Sequence, residues 1–255
     1  MEKWEQALYT FLERYIQQEW FEGALLCGSY ASGNQNEFSD IDVTIIASNS
    51  LGWQEKSNCY VDGFLMEYTI NPIFRFEEYM EESLKEHNYT NQYLLLYGKV
   101  LFDTHGEIQK LREKAALQVQ KPFEPFSDYD KSFIKYYLWD RYDELLSLSK
   151  QNLHLDLQYW SLVDALITAY YNFHNLAHVP HSKIEQILTN PDFAQRYHVK
   201  NMPHPEFTHK LVACFKAKNK KQKLATIKDF YDFVMNSDGG FDIGQFVGKR
   251  ALNKK

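Results

Sequence analysis

Cysteine is scarce in this chain. Cys27, Cys59 and Cys214 are odd in number and lack any Cys-x-x-Cys spacing. That argues against a disulfide framework and suits a reducing cytoplasm, with the thiols packed as small apolar groups. Long apolar runs are missing too. No stretch approaches the roughly 18 residues of a membrane span, and the charged, periodic start MEKWEQALYTFLERYIQQEW is not patterned as a signal peptide. Basic charge is in deficit: 28 Lys and Arg against 34 Asp and Glu leave a net charge of −6. This balance disfavours long nucleic acid as a partner and suits a cationic small substrate. The one basic run, Lys216 to Lys223, reads as a solvated loop and helix start. No repeat or low-complexity segment appears. What remains is 255 residues, 44% of them apolar and 16% aromatic, enough for one large domain or two ordinary ones.

One stretch organises the chain, GSYASGNQNEFSDID from Gly28 to Asp42. It follows the apolar run Ala24-Leu25-Leu26-Cys27 and leads into Val43-Thr44-Ile45-Ile46. Gly28 lets the backbone turn tightly and approach a ligand. A helix starting near Ser29 would turn free N–H groups toward an anion, and Gly33 releases the chain into a polar loop. In the second strand, successive side chains alternate between faces. Asp40 and Asp42 then share one face while Ile41, Val43 and Ile45 enter a core. Paired like charges in a strand are unfavourable unless a hard divalent cation takes their oxygens. Taken alone, Asp-x-Asp is also compatible with a loop end and an exposed carboxylate.

Asp62-Gly63 between apolar runs is a hairpin signal. It pairs Cys59 to Val61 with Phe64 to Ile70. In the second arm Leu65, Glu67 and Thr69 share a face. Glu67 is the one acid inside that strand and is either a solvent-facing side chain or a third site carboxylate.

Gly28-Ser29-x-x-x-Gly33 followed by Ser39-Asp40-Ile41-Asp42 resembles the signature of the DNA polymerase β-like nucleotidyltransferase superfamily, which includes the enzymes that adenylylate aminoglycosides or lincosamides. The segment YGKVLFDTHGEIQKLREKA, from Tyr97, is similar to the one that closes the catalytic domain in that antibiotic-modifying branch. The resemblance implies an α+β protein: an N-terminal nucleotidyltransferase domain with a mixed sheet and flanking helices, then a C-terminal all-α bundle. It implies that Gly28, Ser29 and Ser39 hold the triphosphate of an NTP, with ATP the expected donor. Two Mg2+ ions would sit on Asp40 and Asp42, and Glu67 would be the third carboxylate, either metal ligand or general base. Asp62 is the runner-up for that place. The turn Asn175 to Lys183 resembles one that faces the active site in that branch, which gives Lys183 a contact with the triphosphate or the leaving pyrophosphate. The partners implied are an NTP and a small-molecule hydroxyl acceptor. Dimerisation is common in the branch, so a homodimer is allowed. Nucleotidylation of protein or tRNA, and a nucleotide-binding regulatory module without catalysis, are the alternatives. The helical half does not resemble the ribonucleases that accompany small nucleotidyltransferases, because no arginine is followed by a histidine at their spacing.

Along the chain, Trp4 to Ile16 is predicted as an amphipathic helix and Asn71-Pro72 as a strand break. Helices follow over Ile73 to His87 and Asn91 to Tyr97, a strand over Lys99 to Asp103 and a helix over Glu107 to Val119. Pro122 and Pro125 mark a linker between a catalytic domain, 1–120, and an acceptor-binding bundle, 126–255. In the bundle, helices are predicted from Tyr129, Leu155, Ser182, Phe207 and Lys223, with Asp128 and Asp130 capping the first and Ser182 the third. His174 and His178 stand four apart but lack the glutamate of a zinc motif, and read as packed or exposed histidines. From Ser237 the chain is glycine-rich and then basic, either a docked arm or a loose tail.

Overall fold

The computed structural model describes residues 1–249, and the chain divides into two compact units with the break between Pro122 and Phe123. The first unit runs α1 (Lys3–Leu12), β1 (Phe21–Leu26), α2 (Gly28–Ser32), β2 (Ile41–Ala47), β3 (Glu55–Val61), β4 (Phe64–Pro72), α3 (Ile73–Lys85), α4 (Thr90–Tyr97), β5 (Lys99–Asp103) and α5 (Glu107–Gln118). Its strands form one sheet in the order β3-β4-β2-β1-β5. β2 and β4 are parallel and the other neighbours antiparallel, so the sheet is mixed.

The parallel pair exists because β3 is spent as an edge strand that reverses the chain. Asp62 (φ 49°) and Gly63 (φ 86°) both lie in the left-handed region, as a tight two-residue hairpin loop requires. The hairpin brings β4 back beside β2 in a register that sets Asp42 against Glu67.

Alternation then sorts the two faces. Ile41, Val43 and Ile45 of β2 and Met66, Tyr68 and Ile70 of β4 pack with Leu8, Phe11 and Leu12 of α1. On the other face Leu25, Cys27 and Ile46 pack with Phe76 and Met80 of α3, Leu95 of α4, and Ile108 and Leu111 of α5. Each such side chain stabilises the fold by about 1.5–3 kcal/mol when fully buried, so the sheet is held from both sides. Asp42 and Glu67 belong to the second face and are only half-buried.

Several boundaries differ from the sequence reading; β3 begins at Glu55 rather than Cys59 and α11 at Lys220 rather than Lys223. α1 ends at Leu12; Tyr15 and Ile16 follow in turns yet pack against the same core, which is why their spacing looked helical. β4 continues through Asn71 to Pro72, which is in register with Ala47 and stands at the N-cap of α3. A proline at the last position of a strand removes no interior ladder bond.

The second unit is helical: α6 (Asp128–Lys150), α7 (Asp156–Phe173), α8 (Ile184–Thr189), α9 (Pro191–Arg196), α10 (Pro205–Lys216) and α11 (Lys220–Asn236). Its core gathers Leu138, Tyr159, Leu162, Leu166, Phe207, Leu211, Phe230 and Val234. The Tyr159 hydroxyl, buried there, donates to the Cys214 carbonyl at 2.9 Å. Ser127, not Asp128 or Asp130, caps α6, its Oγ accepting from the Asp130 N–H at 3.1 Å. Ser182 does not cap α8, because a 3-10 turn over His181–Lys183 precedes that helix. α9 is too short to show periodicity, although Asn190 caps it and Pro191 opens it. Beyond α11 the glycine-rich stretch is docked: Lys131 donates to Asp238 at 2.8 Å, and the Phe246 ring stacks on Tyr136 at 4.7 Å. The basic end, 250–255, lies outside the described residues. The architecture is α+β in the first unit and all-α in the second.

Candidate active site

The site begins where β1 ends. The Cys27 N–H donates to the Asp42 carbonyl at 2.9 Å, so the corner is tied to β2 through backbone. Gly28 follows with φ 60°. A Cβ added there would stand 1.8 Å from Asp42 Oδ2. Glycine is therefore required twice, for a left-handed backbone angle and for the space the carboxylate fills. α2 spans only Gly28–Ser32 and ends at Gly33 in the left-handed region, φ 70°. It is too short for a helix dipole to matter, so an anion here would meet local N–H groups and the Ser29 hydroxyl.

The polar loop is folded, not slack. The Asn36 N–H donates to Ser39 Oγ at 2.9 Å, the Phe38 N–H to Asn36 Oδ1 at 2.9 Å, and the Ser39 N–H to the Asn36 carbonyl at 3.0 Å. Ser39 thus closes the turn that delivers Asp40. Asp40 lies just before β2, whose first residue is Ile41, so the two aspartates straddle the strand start where the sequence suggested both within it.

Asp40, Asp42 and Glu67 come together. Each offers a carboxylate oxygen, and these oxygens lie within 4.8 Å of one another. The arrangement follows from three local facts: the Ser39 turn places Asp40, alternation in β2 places Asp42 on the same side, and the parallel register places Glu67 beside Asp42. The charge is poorly balanced. Asp42 has its pKa pushed up from 3.8 to about 6, chiefly by burial and further by Asp40 and Glu67. Glu67 is held below the usual carboxylate range, first by its hydrogen bond to Lys56. The Lys56 ammonium stands 2.8 Å from Glu67 Oε1. Asp42 is thus short of positive charge, which is the condition a divalent cation relieves. Among the described residues this is the one group of His, Cys, Asp and Glu side chains dense enough to hold a metal ion.

Residues 12–137 match the sequence model of the nucleotidyltransferase domain family. The chain carries a nucleotidyltransferase domain. The match begins at the last residue of α1 and runs through the whole sheet, so the corner, the loop and all three carboxylates fall inside the nucleotidyltransferase region. Among solved structures, the chain is similar to a nucleotidyltransferase-like protein from Exiguobacterium sibiricum 255-15, at 10% identity and a TM-score of 0.43, with 92% of this chain and 77% of that one covered. No curated protein matches it in sequence.

The remaining predicted residues of this nucleotidyltransferase fall elsewhere. Lys183 lies in the helical unit, at the N-cap of α8. Asp62 sits in the hairpin turn, outside the carboxylate group. His174 and His178 do not share a helix: α7 ends at Phe173, and His178 Nε2 lies 2.7 Å from Asn172 Oδ1. The basic run is largely exposed, as expected of a solvated loop and helix start; within it Lys220 donates to the Ser149 carbonyl at 2.7 Å and Lys223 pairs with Asp156 at 2.7 Å. Cys27, beside the site, is buried, and that burial first of all pushes its thiol up to about 12. Lys56 was missed. Its signal was the alternation of β3, which puts Lys56, Asn58 and Tyr60 on the face that Glu67 shares. That face can be read only once the hairpin register is known.

No helix among the described residues is long and apolar enough to cross a membrane.

Proposed function

We propose that this nucleotidyltransferase is Mg2+-dependent and moves a nucleoside monophosphate from an NTP, ATP in first place, to a hydroxyl of a small molecule. One observation carries the reading: three carboxylates from a loop and two parallel strands converge within 4.8 Å beside a glycine corner that leaves no room for a side chain. The donor set is all oxygen, which suits a hard divalent cation, and the raised pKa of Asp42 marks an uncompensated negative site.

In this reading Asp40, Asp42 and Glu67 are the residues that would hold two Mg2+ ions. Bound there, the ions supply charge neutralisation for the attacking and leaving oxygens. Gly28 allows the phosphates close to the backbone, and Ser29 donates to them. The Ser39 turn fixes Asp40. The acceptor oxygen bonds to the α-phosphorus, the bond from that phosphorus to the bridging oxygen breaks, pyrophosphate leaves, and the hydroxyl proton passes to a carboxylate of the set. What supports Glu67 as ligand rather than distant base is that its oxygen lies within the same 4.8 Å as those of the aspartates.

The helical unit is assigned to acceptor recognition. A net charge of −6 favours a cationic acceptor such as an aminoglycoside, with lincosamides next. Modification of protein or tRNA is the second reading, and it gains nothing from the acidic balance.

The test is thermal stability with each of the four NTPs, with and without Mg2+, on the wild type and on Asp40→Asn/Asp42→Asn. A ligand at about 100 times its Kd adds about 2.7 kcal/mol. One NTP should stabilise the wild type only when Mg2+ is present, and the double variant should not respond. If no NTP stabilises the wild type, the reading fails.

A further inference from the structure

Lys56 occupies a place that the reaction as described leaves unexplained. It lies on the edge strand β3, where Asn58, not Lys56, is the direct cross-strand partner of Glu67. Lys56 stands opposite Thr69 and reaches diagonally, a separation that long side chains span. Its ammonium ends 2.8 Å from Glu67 Oε1. The lysine side chain is 71% exposed and that of Glu67 32%, so Lys56 packs against little and can swing into water. No other cation among the described residues forms an ion pair with Asp40, Asp42 or Glu67. The remaining lysine pairs of this unit join helix residues: Lys110 with Glu107, and Lys114 with Glu77.

We propose that Lys56 is the resident counter-ion of the carboxylate group, holding one oxygen of Glu67 until a divalent cation arrives and so setting how tightly that cation binds. This rests on the reading of Asp40, Asp42 and Glu67 as cation ligands. Three carboxylates converging without a cation would repel one another, and a single flexible ammonium relieves part of that repulsion. The same ammonium opposes an incoming divalent ion, because two cations at one carboxylate repel. It is therefore a positioning residue that orders the empty site and weakens the loaded one. Lysine suits the task, being a compact charge on a mobile stem, where arginine would clamp the carboxylate with a rigid fork.

The experiment is Mn2+ titration of the metal-free full-length protein, read by electron paramagnetic resonance as free against bound ion. The proteins are the wild type, Lys56→Met, Lys56→Arg and Asp42→Asn. Removing an exposed charge of this kind changes affinity by a modest factor, so Lys56→Met should bind Mn2+ about two- to fivefold more tightly than the wild type. Lys56→Arg should stay at or below wild-type affinity, and Asp42→Asn should lose the site. In chelator, Lys56→Met should melt below the wild type, and Mn2+ should close the gap. A merely structural lysine would lower stability without tightening the ion. Asp42-dependent Mn2+ binding that Lys56→Met leaves equal or weaker overturns the proposal alone. Absence of any Asp42-dependent binding in the wild type overturns both the proposal and the functional reading beneath it.

Discussion

Gly28 and Asp42 are in contact: the space a Cβ at residue 28 would take is filled by Asp42 Oδ2, 1.8 Å from it. The corner and the carboxylate are thus one piece of geometry. The Cys27 N–H bonded to the Asp42 carbonyl at 2.9 Å holds them at fixed distance.

Gly28→Ala should accordingly disable the enzyme by moving Asp42. The left-handed angle of residue 28 adds about 1–2 kcal/mol of destabilisation for a side chain. The expected result is a folded protein with a lower melting temperature and at least a hundredfold loss of nucleotidyl transfer. Gly33→Ala is the control, since its Cβ would meet nothing within 4 Å. It should show the strain of a left-handed angle without the loss of activity. Equal activity losses in the two variants would disconnect the corner from the site.

Asp42→Asn should separate stability from activity. Activity should fall by several decades while the metal-free protein melts at or above the wild type, because the variant removes a charge that burial and two neighbouring carboxylates disfavour. A clear drop in melting temperature in chelator would contradict this account.

The pH dependence has a definite sign. Asp42 has a folded pKa of about 6 against an ordinary 3.8. A raised carboxyl contributes stability that is fully present below about pH 4 and is lost as pH rises through about 6. Glu67 acts oppositely: its pKa is lowered, so its contribution is present above the ordinary glutamate range and fades as pH falls through the folded value. Melting temperatures of wild type minus Asp42→Asn, in chelator, should decline between about pH 4 and pH 6 and then level off. A difference that stays flat across this range would refute the assignment.

Glu67→Gln discriminates ligand from base. As a ligand, Glu67 lost to Gln should weaken Mn2+ binding together with catalysis. As a base alone, it should lower kcat with the ion affinity unchanged.

In the helical unit, Lys135 is nearly buried and pairs with Asp238 Oδ2 at 3.0 Å, while Lys131 takes Oδ1 at 2.8 Å. Asp238→Asn leaves the Lys135 ammonium without its counter-charge. The expected loss is about 1–3 kcal/mol in urea unfolding. An unchanged midpoint would show that the docked arm contributes nothing to stability.

Much of this is legible in the amino-acid sequence. Asp62-Gly63 announced the hairpin because that loop needs two left-handed residues. The alternation from Ile41 to Ile45 announced a strand with one face in a core, and the Gly-Ser corner with Ser-Asp-Ile-Asp carried the resemblance to the nucleotidyltransferases; β2 proves buried on both faces apart from Asp42. Lys56 was missed for want of the strand register, and the misses at boundaries and caps have local causes. Tyr15 and Ile16 kept helical spacing in turns, α9 was too short for periodicity, and Ser127 rather than an aspartate took the cap of α6. Each depends on packing or a single hydrogen bond, which a pattern of apolar residues does not encode.

By itself, then, the order of residues determined most element types, the hairpin at Asp62-Gly63 and the face of β2 on which Asp42 lies, whereas the mixed-sheet unit with its helical successor was implied by the family resemblance. The former follow from local rules of backbone angle and side-chain period. Only the tertiary structure decided that Glu67 stands beside Asp42, that Gly28 is closed by that same aspartate, and that Lys56 reaches the group. All three depend on the register between strands distant in sequence, and register is set by the whole sheet packed between its helices rather than by any one segment.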